Sequence, residues 1–277
     1  MKTADFFTVL KGGLIGASML IPGVSGGTAA IILGIYDNIL SAISCFTQDK
    51  KKHFLFLLKV GIGGVIGICL FARLLLQAVT AFPMPMMFLF LGAIGGSIPS
   101  LIKKSGIHSY KISDLLFFLI GLAVVFGLSY LPQLEWNFAE TDGWGFLILL
   151  LAGFGVAIAL ILPGISASYI LFLLGIYEVT LSAIRRLDFL FLAPLGIGIL
   201  VGVLLTARLL EKGMQKFPRI SYLTISGFVA GSMLEVFPGF PSGIMIPISI
   251  MTMAIGFLTV FFLGRSNGIY FKGFRKK

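Results

Sequence analysis

One stretch of this chain is written twice. Residues 22–43 read PGVSGGTAAIILGIYDNILSAI, residues 163–184 read PGISASYILFLLGIYEVTLSAI, and eleven of these 22 positions are identical without a gap. The identities include Pro22/Pro163, Gly23/Gly164, Ser25/Ser166, Gly34/Gly175 and Tyr36/Tyr177, and Asp37 faces Glu178, which keeps the carboxylate. Shared hydrophobicity does not put Pro, Gly, Ser, Tyr and an acid in one register, so the match marks an internal repeat. It extends further: GIGGVIGICLFARLL (61–75) aligns with GIGILVGVLLTARLL (196–210), Arg73 opposite Arg208. Phe82-Pro83 then faces Phe217-Pro218, and Gly92, Gly96 and Ser97 face Gly227, Gly231 and Ser232. The offset falls from 141 to 135 because the first half has a longer loop around Gln48–His53.

The repeat has to fold in lipid. Hydrophobic residues make up 58% of the 277, charged residues only 12%, and the mean hydropathy is +1.06. Soluble domains carry about 25% charge, so a water-dispersed globule is excluded. The net charge of +10 is gathered in short clusters between apolar runs: Lys50–Lys52, Lys103-Lys104, Lys212 with Lys216 and Arg219, and Lys272 with Arg275–Lys277. That pattern marks a cytoplasmic membrane face rather than a nucleic-acid surface, and no nucleic-acid partner is expected. Cys45 and Cys69 form no disulfide framework or metal spacing. His53 and His108 lie in charged loops with no second ligand nearby, so no metal or cofactor is expected. Lys11 interrupts the apolar run from Phe6 to Ile21 and the first motif follows at once, so this run reads as mature structure, not a signal peptide.

A spanning helix needs about 20 apolar residues. Each half offers five such segments, at roughly 6–21, 24–46, 54–79, 86–102 and 114–131, then 144–162, 165–184, 189–211, 222–237 and 244–264. The Pro-Gly-x-Ser element breaks the helix between the first two segments of each half. Either both segments cross fully, or they form a re-entrant hairpin with its tip in mid-membrane. Five crossings or three, the parity is odd, so two fused copies have opposite orientations. The expected fold is all-α: a polytopic integral membrane protein of two inverted-topology repeats with paired, broken, re-entrant helices. One membrane domain spans 1–277, with repeat one at 1–132, an acidic linker at 133–143, repeat two at 144–264 and a basic tail at 265–277. Both termini are expected in the cytoplasm, because that choice puts the loops at 47–53, 103–111 and 211–219 and the tail on the positive side. Arg185-Arg186 then falls outside, either as a tolerated charge or as a capture site for an anion. The sequence sets no oligomeric state.

Irregular backbone at membrane depth must be buried in protein or line a cavity. Behind the first break (Pro22, Gly23) come Ser25, Gly26, Gly27 and Thr28; behind the second (Pro163, Gly164) come Ser166, Ala167, Ser168 and Tyr169. Hydroxyls there cap the following helix or contact a ligand, and free N–H groups at a helix start favour an anion. Two such starts converging on one negative group is the expected substrate site, with Arg73, Arg208 and Arg185 as candidate contacts. Arg73 and Arg208 equally suit snorkelling to the interface. Asp37 and Glu178 are candidates to pair with the arginines, to bind a coupling sodium ion or to carry protons; Tyr36 and Tyr177 are interfacial anchors or ligands. The GxxxG spacings (Gly12/Gly16, Gly63/Gly67, Gly92/Gly96, Gly198/Gly202, Gly227/Gly231) are read as helix packing. A membrane-embedded enzyme such as a lipid phosphatase needs a nucleophile or metal set, and no such cluster is legible.

At SMLIPGVSGGTAAIILGIYD and LPGISASYILFLLGIYE the chain resembles a bacterial membrane family once known only as a domain of unknown function and now described as polyprenyl-phosphate transporters of the PopT type. The resemblance covers essentially the whole chain. It implies movement of undecaprenyl phosphate from the outer to the inner leaflet of the cytoplasmic membrane, which recycles the carrier lipid of cell-envelope synthesis. The first motif fits the pattern fully, and the second departs from it at Ala167 and Ser168. A secondary transporter of another small anion would use the same paired breaks. On this reading, replacing Ser25 or Arg208 by alanine should abolish lipid transfer with expression intact; unchanged transfer removes that residue from the site.

Overall fold

The computed structural model describes residues 3–19, 25–107, 109, 111–133 and 143–266, and among these all regular structure is helical. The first half forms α1 (Thr3–Ser18), α2 (Gly26–Ile32), α3 (Tyr36–Ser44), α4 (Lys50–Ala81), α5 (Pro83–Lys104) and α6 (Ile112–Ser129). The second forms α7 (Gly143–Ile161), α8 (Ala167–Leu173), α9 (Tyr177–Arg186), α10 (Phe189–Lys216), α11 (Pro218–Val236) and α12 (Met245–Ser266). The six elements recur in the same order, and the duplicated residues explain why. Phe82 and Phe217, each before a proline that opens the next helix, take nearly the same dihedrals, φ −134° ψ 61° and φ −131° ψ 62°. The proline needs no donor at that position and bars helix from the residue before it. Ser97 and Ser232 are both buried and both return their hydroxyls to their own helix, on Ile94 O at 2.7 Å and Val229 O at 2.8 Å.

The segments expected at 24–46 and 165–184 are not continuous helices. Each is cut a second time, at Gly34 and Gly175, both with φ 69°. The N–H of Gly34 donates to Ile31 O and that of Ile35 to Ala30 O; Gly175 and Ile176 repeat this on Phe172 O and Leu171 O. This Schellman closure needs a left-handed residue, which glycine adopts without a Cβ penalty. The following isoleucines, Ile35 and Ile176, are wholly buried, which anchors the turn. A seven-residue helix rises only about 10 Å, a third of the bilayer core, and the axis turns by 109° between α8 and α9. The segment therefore does not run straight across. Tyr36 and Asp37, and Tyr177 and Glu178, follow a corner rather than continuing the helix that starts at the motif.

Among the described residues, five helices are long and apolar enough to cross a membrane: Lys50–Phe71 within α4, then α5, α6, α10 and Met245–Gly264 within α12; Gly145–Ile161 is a shorter apolar helix. Long apolar side chains face outward along them, Leu70, Leu74, Leu200 and Leu209 among others, as helices surrounded by lipid require. The protein is a multi-pass membrane protein. Helices α1 and α4 pack together, as do α7 and α10, while each half lends its sixth helix to the other, α6 on α11 and α12 on α5. Glycine makes these contacts close. A Cβ at Gly12 or Gly16 would strike the backbone of Val60 or Gly64, one at Gly92 or Gly96 that of Met253 or Phe257, and one at Gly227 that of Phe118. At the centre α5 lies on α11. Phe88 meets Phe237, Gly95 faces Met233, and Lys104 lies over Tyr222, so these two equivalent helices run antiparallel. The main buried cluster draws on both halves, from Ile15, Ala29 and Leu91 to Ile161, Ala207 and Ile225.

His53, expected in a loop, is buried in the first turn of α4; His108 lies outside the described residues, as do most of the acidic linker and basic tail. Because Gly227 admits no Cβ beside Phe118 O, Gly227→Val should destabilise the fold by at least about 1–3 kcal/mol. A lowered melting midpoint in detergent would register it. Gly61→Ala, where a Cβ meets open space, should leave the midpoint in place.

Candidate functional site

The helix start behind the first break meets the second break. Ser25 sits at the N-cap of α2 in extended conformation, and its Oγ accepts from Thr28 N–H at 3.1 Å and bonds Thr28 Oγ1 at 2.9 Å. Both oxygens also face the other motif. The N–H of Gly164 donates to Thr28 Oγ1 at 3.0 Å and to Ser25 Oγ at 3.2 Å. Gly164 has φ 86°, and a Cβ there would collide with Phe228 O, so the position requires glycine. A Cβ on Gly27 would come within 3.1 Å of Pro163 Cα, and Thr28 and Pro163 are wholly buried. Tyr36, 6% exposed, donates its hydroxyl to Ile161 O at 2.8 Å, satisfying a carbonyl that the end of α7 leaves open. From mid-α1, Lys11 donates to Leu33 O at 2.7 Å, at the C-terminal end of α2. The hydroxyls of Ser25, Thr28 and Tyr36 are thus spent on the protein itself.

The second motif opens outward from this knot. Ser166 makes no capping bond to α8; its hydroxyl pairs with Ser168 at 2.8 Å, and both line an open cleft of about 830 Å³. Tyr169, Phe172 and Tyr177 form the same wall, facing Phe126, Ser129 and Tyr130 at the end of α6 and Leu234 and Glu235 at the end of α11. Tyr169 is fixed by donating to Leu128 O at 2.9 Å. Serine hydroxyls and phenols supply donors for an anion, and Phe126, Phe172 and Leu234 supply an apolar margin. No lysine or arginine lines the cleft among the described residues.

The expected contacts divide accordingly. Ser166, Ser168 and Tyr177 line the cleft; Ser25, Gly27, Thr28, Pro163 and Gly164 form the seal behind it; Gly26 packs on Met19. Pro22 and Gly23 lie outside the described residues. The arginines stand elsewhere. Arg73 is exposed on α4, and Arg185 is exposed in the last turn of α9. Arg208 donates from Nε to Ser44 O at 3.3 Å, at the end of α3, beside the contact between the Ser44 hydroxyl and the Glu211 carboxylate. Asp37 pairs with Lys104 at 2.6 Å, not with an arginine, and Glu178 is exposed with no ion-pair partner among the described residues. The halves are also docked unequally: α3 packs along α10, whereas α9 has no comparable packing on α4. Glu235 and Tyr130 escaped the sequence reading, and Tyr169 was named behind the second break without a role of its own. Glu235 had a usable signal, a carboxylate inside an apolar segment, but its repeat partner by the 135-residue offset is Ser100, so comparing the halves passes over it.

Fold and site together define a multi-pass helical membrane protein with a duplicated, broken helix element whose second copy lines a cleft. A family model described as undecaprenyl phosphate translocase-like matches residues 15–253, and the chain belongs to that family. A Staphylococcus aureus protein named polyprenyl-phosphate transporter is 30% identical over 277 residues, covering 96% of this chain and 98% of its own length. A Vibrio cholerae protein of the same name is 29% identical over 252 residues, covering 86% of this chain and 79% of its own length. No solved structure matches.

The Tyr36–Ile161 bond is buried, so Tyr36→Phe should cost about 1–2 kcal/mol by orphaning the carbonyl. A lower thermal midpoint for this variant, with Tyr177→Phe in the cleft wall close to wild type, is the expected pair of results.

Proposed function

We propose that this chain transports polyprenyl phosphate, undecaprenyl phosphate in particular, from the outer to the inner leaflet of the bacterial cytoplasmic membrane, returning the carrier for envelope synthesis. Family membership and the two similar transporters support the substrate class. One observation carries the placement: the helix start behind the first break meets the second break, and the hydroxyls behind the second line a cleft with an apolar margin. A lipid phosphate has an anionic head that hydrocarbon rejects and a tail that can remain in it. The head occupies the cleft beside Ser166 and Ser168, and the tail leaves between Phe126, Phe172 and Leu234.

The two halves act as inverted copies. The antiparallel run of α5 and α11 and the exchange of sixth helices support this, and the basic loops put both termini in the cytoplasm. In that orientation the cleft, at the ends of α6 and α11, opens to the outer leaflet. The first motif is the matching cytoplasmic exit, closed by the Gly164, Tyr36 and Arg208 bonds. The unequal docking of α3 and α9 is then one state of a cycle, and rocking of the halves exchanges the roles of the two motifs. The chain moves the lipid without altering it.

Leaflet exchange of a labelled polyprenyl phosphate in proteoliposomes tests this. Wild-type protein should accelerate exchange, and the double variant Ser166→Ala/Ser168→Ala should lower the rate at least about tenfold, since hydrogen bonds to a charged group contribute about 1.5–3 kcal/mol each. Uptake of a water-soluble anion without lipid exchange would replace this reading with small-anion transport.

A further inference from the structure

The cleft presents a charge problem. Its lining carries three serine hydroxyls and three phenols, of which Ser129 and Tyr169 already donate to Val125 O and Leu128 O, yet among the described residues the one lining side chain that is charged in water near neutral pH is an acid, Glu235, half-buried at the end of α11. No ion pair or hydrogen bond holds that carboxyl among the described residues. A lipid phosphate carries one to two negative charges. Two anions confined together in one cleft disfavour each other's ionised forms. An acid inside an apolar segment is costly and needs a reason to be there.

We propose that Glu235 carries the proton of the transport cycle: it is neutral and donates a hydrogen bond when the phosphate head is in the cleft, and its ionisation expels the head. The inference rests on the headgroup reading above. The proton balance is simple. A proton from the outer aqueous side bonds to a carboxylate oxygen of Glu235 as the lipid enters, and that O–H bond breaks, releasing the proton to water, when the lipid leaves. An outside-acid gradient then favours loading at the outer face.

Among the described residues, Glu235 stands alone in this role. The titratable groups facing it among the described residues are the phenols of Tyr130 at the end of α6, Tyr169 on α8 and Tyr177 on α9. On its own helix the nearest charge is Arg219, sixteen residues or about 24 Å away. Lys104 of α5 meets α11 at Tyr222, and α10 joins α11 at Phe217, both at the far end of the helix. Asp37, the other acid of interest, is already held by Lys104. Ser100 takes the equivalent place in the first half, so one acid serves the duplicated site.

The test uses the full chain in lipid nanodiscs and two probes, polyprenyl phosphate and a polyprenyl sulfate whose single charge is constant from pH 5.5 to 9. Sulfate affinity of the wild type should fall by up to about tenfold per pH unit above the titration of Glu235, the slope of one linked proton. E235Q should bind sulfate equally across that range, and E235D should restore the slope. Proton uptake in weak buffer, about one per sulfate bound above that titration, reads the same event without any variant. A wild-type sulfate affinity independent of pH, or a wild-type slope retained in E235Q, overturns the proposal and leaves the headgroup site standing. Failure of both lipids to bind wild type at any pH overturns the headgroup site and this inference with it.

Discussion

A helix broken inside a membrane leaves N–H and C=O groups that lipid cannot satisfy, and this structure is organised around closing that deficit. Each unsatisfied buried group costs about 1–3 kcal/mol. The Gly164 N–H reaches two hydroxyls of the opposite half, the Ile161 carbonyl takes the Tyr36 phenol, and the Leu33 carbonyl takes the Lys11 ammonium. These bonds join side chains of one element to backbone of another, so the breaks are stable only together. The Gly164 and Tyr36 bonds of this knot also cross from one half to the other, alongside the packing of α6 on α11 and α12 on α5.

Identical residues do not sit in identical surroundings. Where the duplicated residue acts on its own backbone, the copies agree. Gly34 and Gly175 share one φ, Phe82 and Phe217 share one pair of dihedrals, and Ser97 and Ser232 make the same bond one turn back. Where it acts across the interface, they part. Tyr36 is buried on a carbonyl while Tyr177 lines the cleft; Ser25 caps and binds Gly164 while Ser166 turns to Ser168; Asp37 holds Lys104 while Glu178 is exposed. One set of residues in two environments suits a carrier, which needs a site closed on one side and open on the other.

Part of the site was legible because its signals are local. Ser25 at the start of a helix after Pro-Gly reads as a cap, and it caps. Gly92, Gly96 and Gly227 read as close packing, and each faces foreign backbone. The second corner was harder to see: Leu-Gly-Ile-Tyr lies inside an unbroken apolar run, and one glycine is a weak stop signal in such a run. The arginines drew attention because charge in an apolar segment is expensive, but a long side chain reaches an end of a helix as readily as a cleft. Arg208 does that at the end of α3.

By itself the sequence determined the lipid environment, the duplication, the two broken elements and the family, because these follow from composition, self-similarity and the backbone limits of proline and glycine. Only the tertiary structure decided that the hydroxyls behind the first break bond across to Gly164 while those behind the second line a cleft, that Lys104 and not an arginine meets Asp37, and that Glu235 lines the cleft. The reason is physical. A residue's local conformation depends on its neighbours in the chain, whereas its partners depend on how two near-identical halves settle against each other, and packing makes them unequal.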